Sequence, residues 1–180
     1  MSRLSMWKWV LVGGCTCVLI FWLYTGRSTH VRCQANLTAL GKVINGLYRP
    51  QAQGEFPSLA GVALSYSNCP FFFLCPGTCR QAGGDPGEVG EWSDYIYLRW
   101  TNGATTPGLF PLLYDKSLSN HNGQGINILR VDGEVFWDQG GRWLRQFAEE
   151  HPTLNVIFPA DMAIIDKKKS SGTGNVVDDK

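Results

Sequence analysis

The chain has 180 residues, 44% of them hydrophobic and 17% charged, with a formal net charge of +1. That is enough apolar material for one domain of ordinary size with a lightly charged surface. It excludes the electrostatic footprint of a nucleic-acid binder, because no basic stripe occurs anywhere.

In chain order, the first element is apolar. Trp9 to Tyr24 reads WVLVGGCTCVLIFWLY and carries no charge. With Met6–Lys8 it approaches the span of about 20 residues that crosses about 30 Å of hydrocarbon. Trp7 and Trp9 at one end, and Trp22 and Tyr24 at the other, stand where aromatic belts stand. Thr25-Gly26-Arg27-Ser28 is a poor signal-peptidase site, and the run before Cys15 is too short for a lipoprotein signal. Residues 1–28 are therefore expected to form a retained transmembrane anchor. Arg3 and Lys8 before the run balance Arg27 and Arg32 after it, so charge alone leaves the orientation open.

A helix is predicted over Thr29–Tyr48. Cys33, Leu37, Leu40, Ile44 and Leu47 fall on one stripe, and Arg49-Pro50 ends it. Pro50–Glu91 shows no periodicity and reads as a long irregular segment. It contains NCPFFFLCPGTC, with Cys69, Cys75 and Cys79. That spacing is not a Cys-x-x-Cys pair, so it favours neither zinc nor a thioredoxin-like centre. Phe71–Phe73 reads most simply as a plug into the core.

Strands follow. Asp94–Thr101 alternates, with Ile96, Leu98 and Trp100 on one side and Tyr95, Tyr97 and Arg99 on the other. Leu109–Tyr114 is a second strand, with Pro111 marking an edge or bulge. Ile126–Val131 and Glu134–Trp137 flank Asp132-Gly133, the signal of a type I′ hairpin. Such a turn would set Leu129 opposite Phe136 and Ile128 opposite Trp137. Both faces of this hairpin are apolar, so the pattern does not choose which one meets the helix. Gly141–Glu150 reads as a short helix with Asp138 as a nearby cap, and Leu154–Phe158 as a last strand. Asp161–Lys180 is a polar tail.

Two stretches, far apart and in the right order, resemble a group of bacterial proteins similar to type IV pilins and to the pseudopilins of type II secretion. One is Arg32-Cys33-x-x-Asn36-Leu37-x-x-Leu40-Gly41, like the helix that follows the membrane in that group. The other is Tyr114-Asp115-Lys116, His121, a Gly-rich loop and Asp132-Gly133, like its C-terminal motif of a His, nine residues and Asp-Gly. Cys75-Pro76 matches a further recurrent element. The chain departs from the pattern in three places. Ten residues separate His121 from Asp132, and Glu134 stands where the group often has His. No Gly–aromatic processing site or following Glu accompanies the apolar run.

The resemblance covers Met6 to Trp137. It implies an α+β, pilin-like fold: a long N-terminal transmembrane helix packed on a small antiparallel sheet. It also implies three parts: a membrane anchor (1–28) with a short cytoplasmic N-terminus, a pilin-like periplasmic domain (29–160) and a disordered tail (161–180). The implied function is a non-enzymatic pseudopilin-like component of a type II secretion or type IV pilus-like system in the bacterial inner membrane. Its partners would be other pilin-like subunits, secretion components and membrane lipid. The alternative is a membrane-tethered binding module that kept the fold and left the filament. In an oxidising compartment, Cys33, Cys69, Cys75 and Cys79 allow two disulfides in three pairings. No catalytic set is found among the three histidines. His121, Asp132 and Gly133 are expected to anchor the loop and shape the turn. A metal site is the alternative, with His121, Asp132 and Glu134 as candidates and Asp115 and Asp138 near them. Calcium is the ion thinkable by resemblance.

Overall fold

The computed structural model describes residues 29–48, 56–66, 69–100 and 106–162. The expected anchor at 1–28 lies outside them, as does the tail beyond residue 162. Among the described residues no helix is long and apolar enough to cross a membrane.

Helix α1 covers 29–43 and closes in a π-helical turn, Ile44–Tyr48. Cys33, Leu37, Leu40 and Ile44 are fully buried. Steps of four and three residues keep them on one side of a 3.6-residue helix. That side lies on a sheet. Strands β1 (Tyr95–Tyr97), β2 (Pro111–Asp115), β3 (Gly125–Arg130) and β4 (Val135–Gln139) form one antiparallel meander, ordered as in the chain. The protein is thus α+β, as expected.

Both faces of the sheet are covered, which is why the hairpin reads apolar on both sides. Tyr95, Leu113, Leu129 and Val131 join the stripe of α1. Tyr114, Ile126 and Ile128 join Leu144 of a helix here named α4 (Arg142–Glu150). Asp138 caps α4 as anticipated, accepting from Trp143 N at 2.9 Å and Leu144 N at 3.0 Å. A Cβ at Gly41 would lie 2.8 Å from Leu129 Cδ1, so glycine is what lets α1 sit this close to β3.

Several expectations are corrected. The Asp132-Gly133 turn is a three-residue loop, not a type I′ turn. Gly133 N donates to Arg130 O at 3.0 Å and Arg130 N to Glu134 O at 2.9 Å. Gly133 has φ +91°, whereas Asp132 is not in the left-handed region. This is the hairpin with a glycine bulge, and the extra residue moves the register. Ile128 therefore opposes Phe136, and Leu129 opposes Val135.

Pro50–Glu91 is more ordered than its composition suggests. It holds α2 (Leu59–Ser65), capped by Ser58 Oγ accepting from Gly61 N at 3.1 Å. The short helix α3 (Val89–Trp92) and 3₁₀ turns at Pro70–Phe73 and Pro86–Glu88 follow. Of the three phenylalanines only Phe73 is fully buried, while Phe71 is 56% exposed. Leu154–Phe158 forms no strand.

Gly41→Ala should destabilise the fold by about 1–3 kcal/mol, because Leu129 is enclosed and cannot yield freely. Thermal or urea unfolding would measure it. In the Gly41→Ala/Leu129→Ala double variant the two losses should be less than additive. A Gly41→Ala protein as stable as the parent would refute the close approach.

Candidate functional site

Strand alternation builds the site. Leu113 and Asp115 point to one face of β2, and Asn127 and Leu129 to the same face of β3. Leu113 and Leu129 meet α1, so Asp115 and Asn127 lie beneath it as well, opposite Cys33. Tyr95 pairs with Asp115, and Asn127 with Trp137. A row thus crosses the sheet beneath the helix.

Asp115 is fully buried, so its carboxylate must find hydrogen bonds within the protein. Oδ2 accepts from Asn127 N at 2.7 Å and from Asn127 Nδ2 at 3.3 Å. The same oxygen lies 3.1 Å from His121 Nε2. Oδ1 accepts from Cys33 Sγ at 3.2 Å. Tyr95 Oη stands 3.3 Å from that sulfur.

His121 arrives on the 3₁₀ turn Leu118–His121. Ser117 Oγ caps the turn by accepting from Ser119 N at 3.1 Å. Asn122 closes it at φ +57°, a conformation Asn tolerates better than most residues. Asp161 clamps it from outside, accepting from Ser117 Oγ at 2.5 Å, Leu118 N at 3.0 Å and Ser119 N at 2.8 Å. Asp161, expected to open the polar tail, is therefore part of the domain.

Cys75 comes from a third segment. Asp94, almost fully buried, accepts from Cys75 N at 3.0 Å, Thr78 Oγ1 at 2.7 Å and Arg80 Nη1 at 2.9 Å. A Cβ at Gly77 would overlap the Asn120 carbonyl oxygen, so glycine lets this loop lie against the His121 turn. Cys75 Sγ ends 3.6 Å from His121 Nε2. The ligating atoms of Cys33, Cys75, Asp115 and His121 all lie within 4.8 Å of one another, and all four residues are buried.

Their protonation is interdependent. A hydrogen bond from Cys33 is the main cause that lowers Cys75, against burial and with help from His121, to about 6. Cys33 is pushed far above the usual thiol range by that same hydrogen bond, by burial and by Asp115. Burial disfavours the imidazolium of His121, but hydrogen bonds and charge from Asp115 and Cys75 outweigh it and lift it to about 9. Burial, then the charges of Cys33 and Asp115, raises Tyr95. His30, whose ring packs edge-on against Trp137 with centroids 4.2 Å apart, is lowered by burial and then by His121.

These directions favour the ionised form of Cys75 and the protonated form of His121. His121 Nε2, which can carry at most one hydrogen, faces both Asp115 and Cys75, while Asn127 Nδ2 lies 3.1 Å from the same nitrogen. His121 Nδ1 and Asn127 Oδ1 are buried with no hydrogen-bond partner.

Of the metal candidates read from sequence, only His121 and the accompanying Asp115 meet. Asp132 and Glu134 sit on the exposed turn, both engaged by Arg130, and Asp138 caps α4. No disulfide joins Cys33, Cys69, Cys75 or Cys79 among the described residues, where disulfides were expected. Cys33 and Cys75 meet each other, but their sulfurs are engaged by Asp115 and His121. The segment is held instead by Asp94 and by Asn36 Nδ2 donating to Leu74 O at 3.0 Å. Sequence reasoning missed Asn127, Tyr95 and Asp94. A signal existed for Asn127: a polar residue two places from an inward leucine in a strand shares its face.

Comparison with family models, with curated proteins and with solved structures gave no match. The site is therefore read from its chemistry. Two sulfurs, one imidazole nitrogen and one carboxylate make it a candidate metal centre. The thiolate–imidazole–carboxylate order is also that of a cysteine nucleophile with its base, but Cys75 is only 1% exposed.

Asp161 gives a pH prediction. Burial would raise its carboxyl, but hydrogen bonds from Ser117, Leu118 and Ser119 outweigh that and hold it below the ordinary value. A depressed folded value contributes stability above the unfolded value, lost as pH falls through the folded one. Asp161→Asn should lower the melting temperature at neutral pH, and the difference should close below the ordinary carboxylate range. A difference that persists unchanged at low pH would contradict this role.

Proposed function

We propose that the chain is a pilin-like, non-enzymatic structural component of a type II secretion or type IV pilus-like system. Residues 1–28 would anchor it in the cytoplasmic membrane, with the domain on the outer side. The observation that carries this reading is the setting of α1. The described part of the helix starts at residue 29, a few residues after the uncharged Trp9–Tyr24 run in the sequence, and lies along one face of an antiparallel meander. Its other side, with Val31, Arg32, Ala35 and Lys42, is exposed. Subunits of such a machine associate through the exposed sides of their helices, and among the described residues nothing covers that side.

A second reading is a tethered binding module that does not assemble. It is favoured by Ser5-Met6-Trp7-Lys8, which offers no Gly–aromatic processing site, and by the lack of a Glu after it.

A photo-cross-linking residue placed at Val31, Ala35 or Lys42 in the membrane-bound protein separates the two. Assembly predicts adducts between copies from these positions and none from Glu149 on α4. Absence of self-adducts at all three helix positions would leave the tethered module.

A further inference from the structure

We infer that Cys33, Cys75, Asp115 and His121 are the four ligands of a closed, structural zinc site. Geometry is the first argument. Zinc bonds of about 2.3 Å to sulfur and about 2.0–2.2 Å to nitrogen and oxygen give a tetrahedron with edges of about 3.4–3.8 Å. One atom from each residue, four in all, already lies within 4.8 Å of the others. Cys75 Sγ and His121 Nε2 stand 3.6 Å apart, the length of such an edge. Cys33 Sγ and His121 Nε2 approach different oxygens of Asp115, at 3.2 and 3.1 Å, so a small turn of that carboxylate completes the set.

The second argument is the crowding at His121 Nε2. One hydrogen cannot satisfy both Asp115 and Cys75, but one cation can bond to all of them at once. Thiol and imidazole ligands give up any hydrogen on the donor atom as a divalent ion enters, so the charge of the ion is offset by its ligands as it is buried.

Donor type selects the metal. Thiolate and imidazole in a tetrahedral set suit zinc, whereas calcium takes six to eight oxygens. Four protein ligands, none more than 5% exposed, leave no open position, which marks a structural rather than a catalytic site. Supporting groups are in place: Asn127 holds Asp115 through two hydrogen bonds, and Tyr95 lies against the Cys33 sulfur. An open groove of about 380 Å³ beside Cys75, bordered by Arg32, Asn36 and Cys79, offers the ion a way in. Such an ion would tie α1, the Cys75 loop and the His121 turn together, segments that sequence spacing cannot connect.

The test uses the full chain, solubilised from membranes without reductant and then reduced. Elemental analysis should find one zinc per chain. After chelation, cobalt(II) should saturate at one equivalent, with thiolate-to-metal charge-transfer bands and the intense visible bands of tetrahedral cobalt, and zinc should displace it. Chelator should lower the melting temperature of the parent protein and zinc restore it. Cys75→Ser and His121→Ala should lose the bands, while Cys69→Ser and Cys79→Ser should keep them. Asn127→Ala should weaken binding about 10–100-fold through the ligand it orients. The proposal is overturned if the folded, reduced parent shows no thiolate–cobalt bands. It is also overturned if Cys33 and Cys75 leave the membrane as a disulfide. Both results come from the unmutated protein, so poor folding of a variant does not obscure them.

Discussion

A carboxylate with no access to water is the constraint around which this domain closes. Asp115 is carried to the helix side of the sheet by the same alternation that carries Leu113 there. Removing such a charge from water costs several kcal/mol unless partners replace the lost hydration. Its partners come from different places: Cys33 from α1, Asn127 from β3 and His121 from the turn after β2. None can be withdrawn without leaving the charge exposed to an apolar interior. The helix, the sheet and the motif loop are thereby held to one arrangement, with Cys75 brought against His121.

Three further aspartates repeat the device at smaller scale. Asp94 gathers the Cys75 loop, Asp161 the His121 turn, and Asp138 the first turn of α4. Each accepts from backbone N–H groups of the segment it anchors. The described domain is rich in short turns and has only brief regular elements, so its loops need such local anchors. Two of these three anchors position residues of the cluster. The domain therefore places its chemistry with polar contacts and fills the space behind it with leucine and aromatic packing.

The sequence was legible where one periodicity acts alone. The stripe of α1 could be read because its apolar steps have no competing explanation, and four of its five members are seen buried. The hairpin was legible in kind but not in register, since Asp-Gly serves both a two-residue turn and a three-residue bulged loop. Helix α2 was hidden by its shortness: seven residues bury only Val62 and Ala63, too few to show a period. The cluster was legible only in pieces. Cys33 and Cys75 were read as two of four candidate disulfide cysteines with the pairing open, and His121 and Asp115 as companions of Asp132 and Glu134. Cys33 and Asp115 lie 82 residues apart, a distance over which local spacing carries no information. Charge nearness in sequence pointed to Asp132 and Glu134, but Arg130 satisfies them at the surface.

The central claim is that α1, the Cys75 loop and the His121 turn converge on one buried site whose two sulfurs bind a third party rather than each other. Nuclear magnetic resonance of the full chain in micelles, labelled at cysteine Cβ and histidine ring nitrogen, tests it most directly. The account predicts Cβ shifts of Cys33 and Cys75 in the metal-thiolate range, with His121 coordinating through Nε2 and its hydrogen on Nδ1. Disulfide shifts for these two cysteines, together with a His121 ring that titrates freely in solvent, would contradict it.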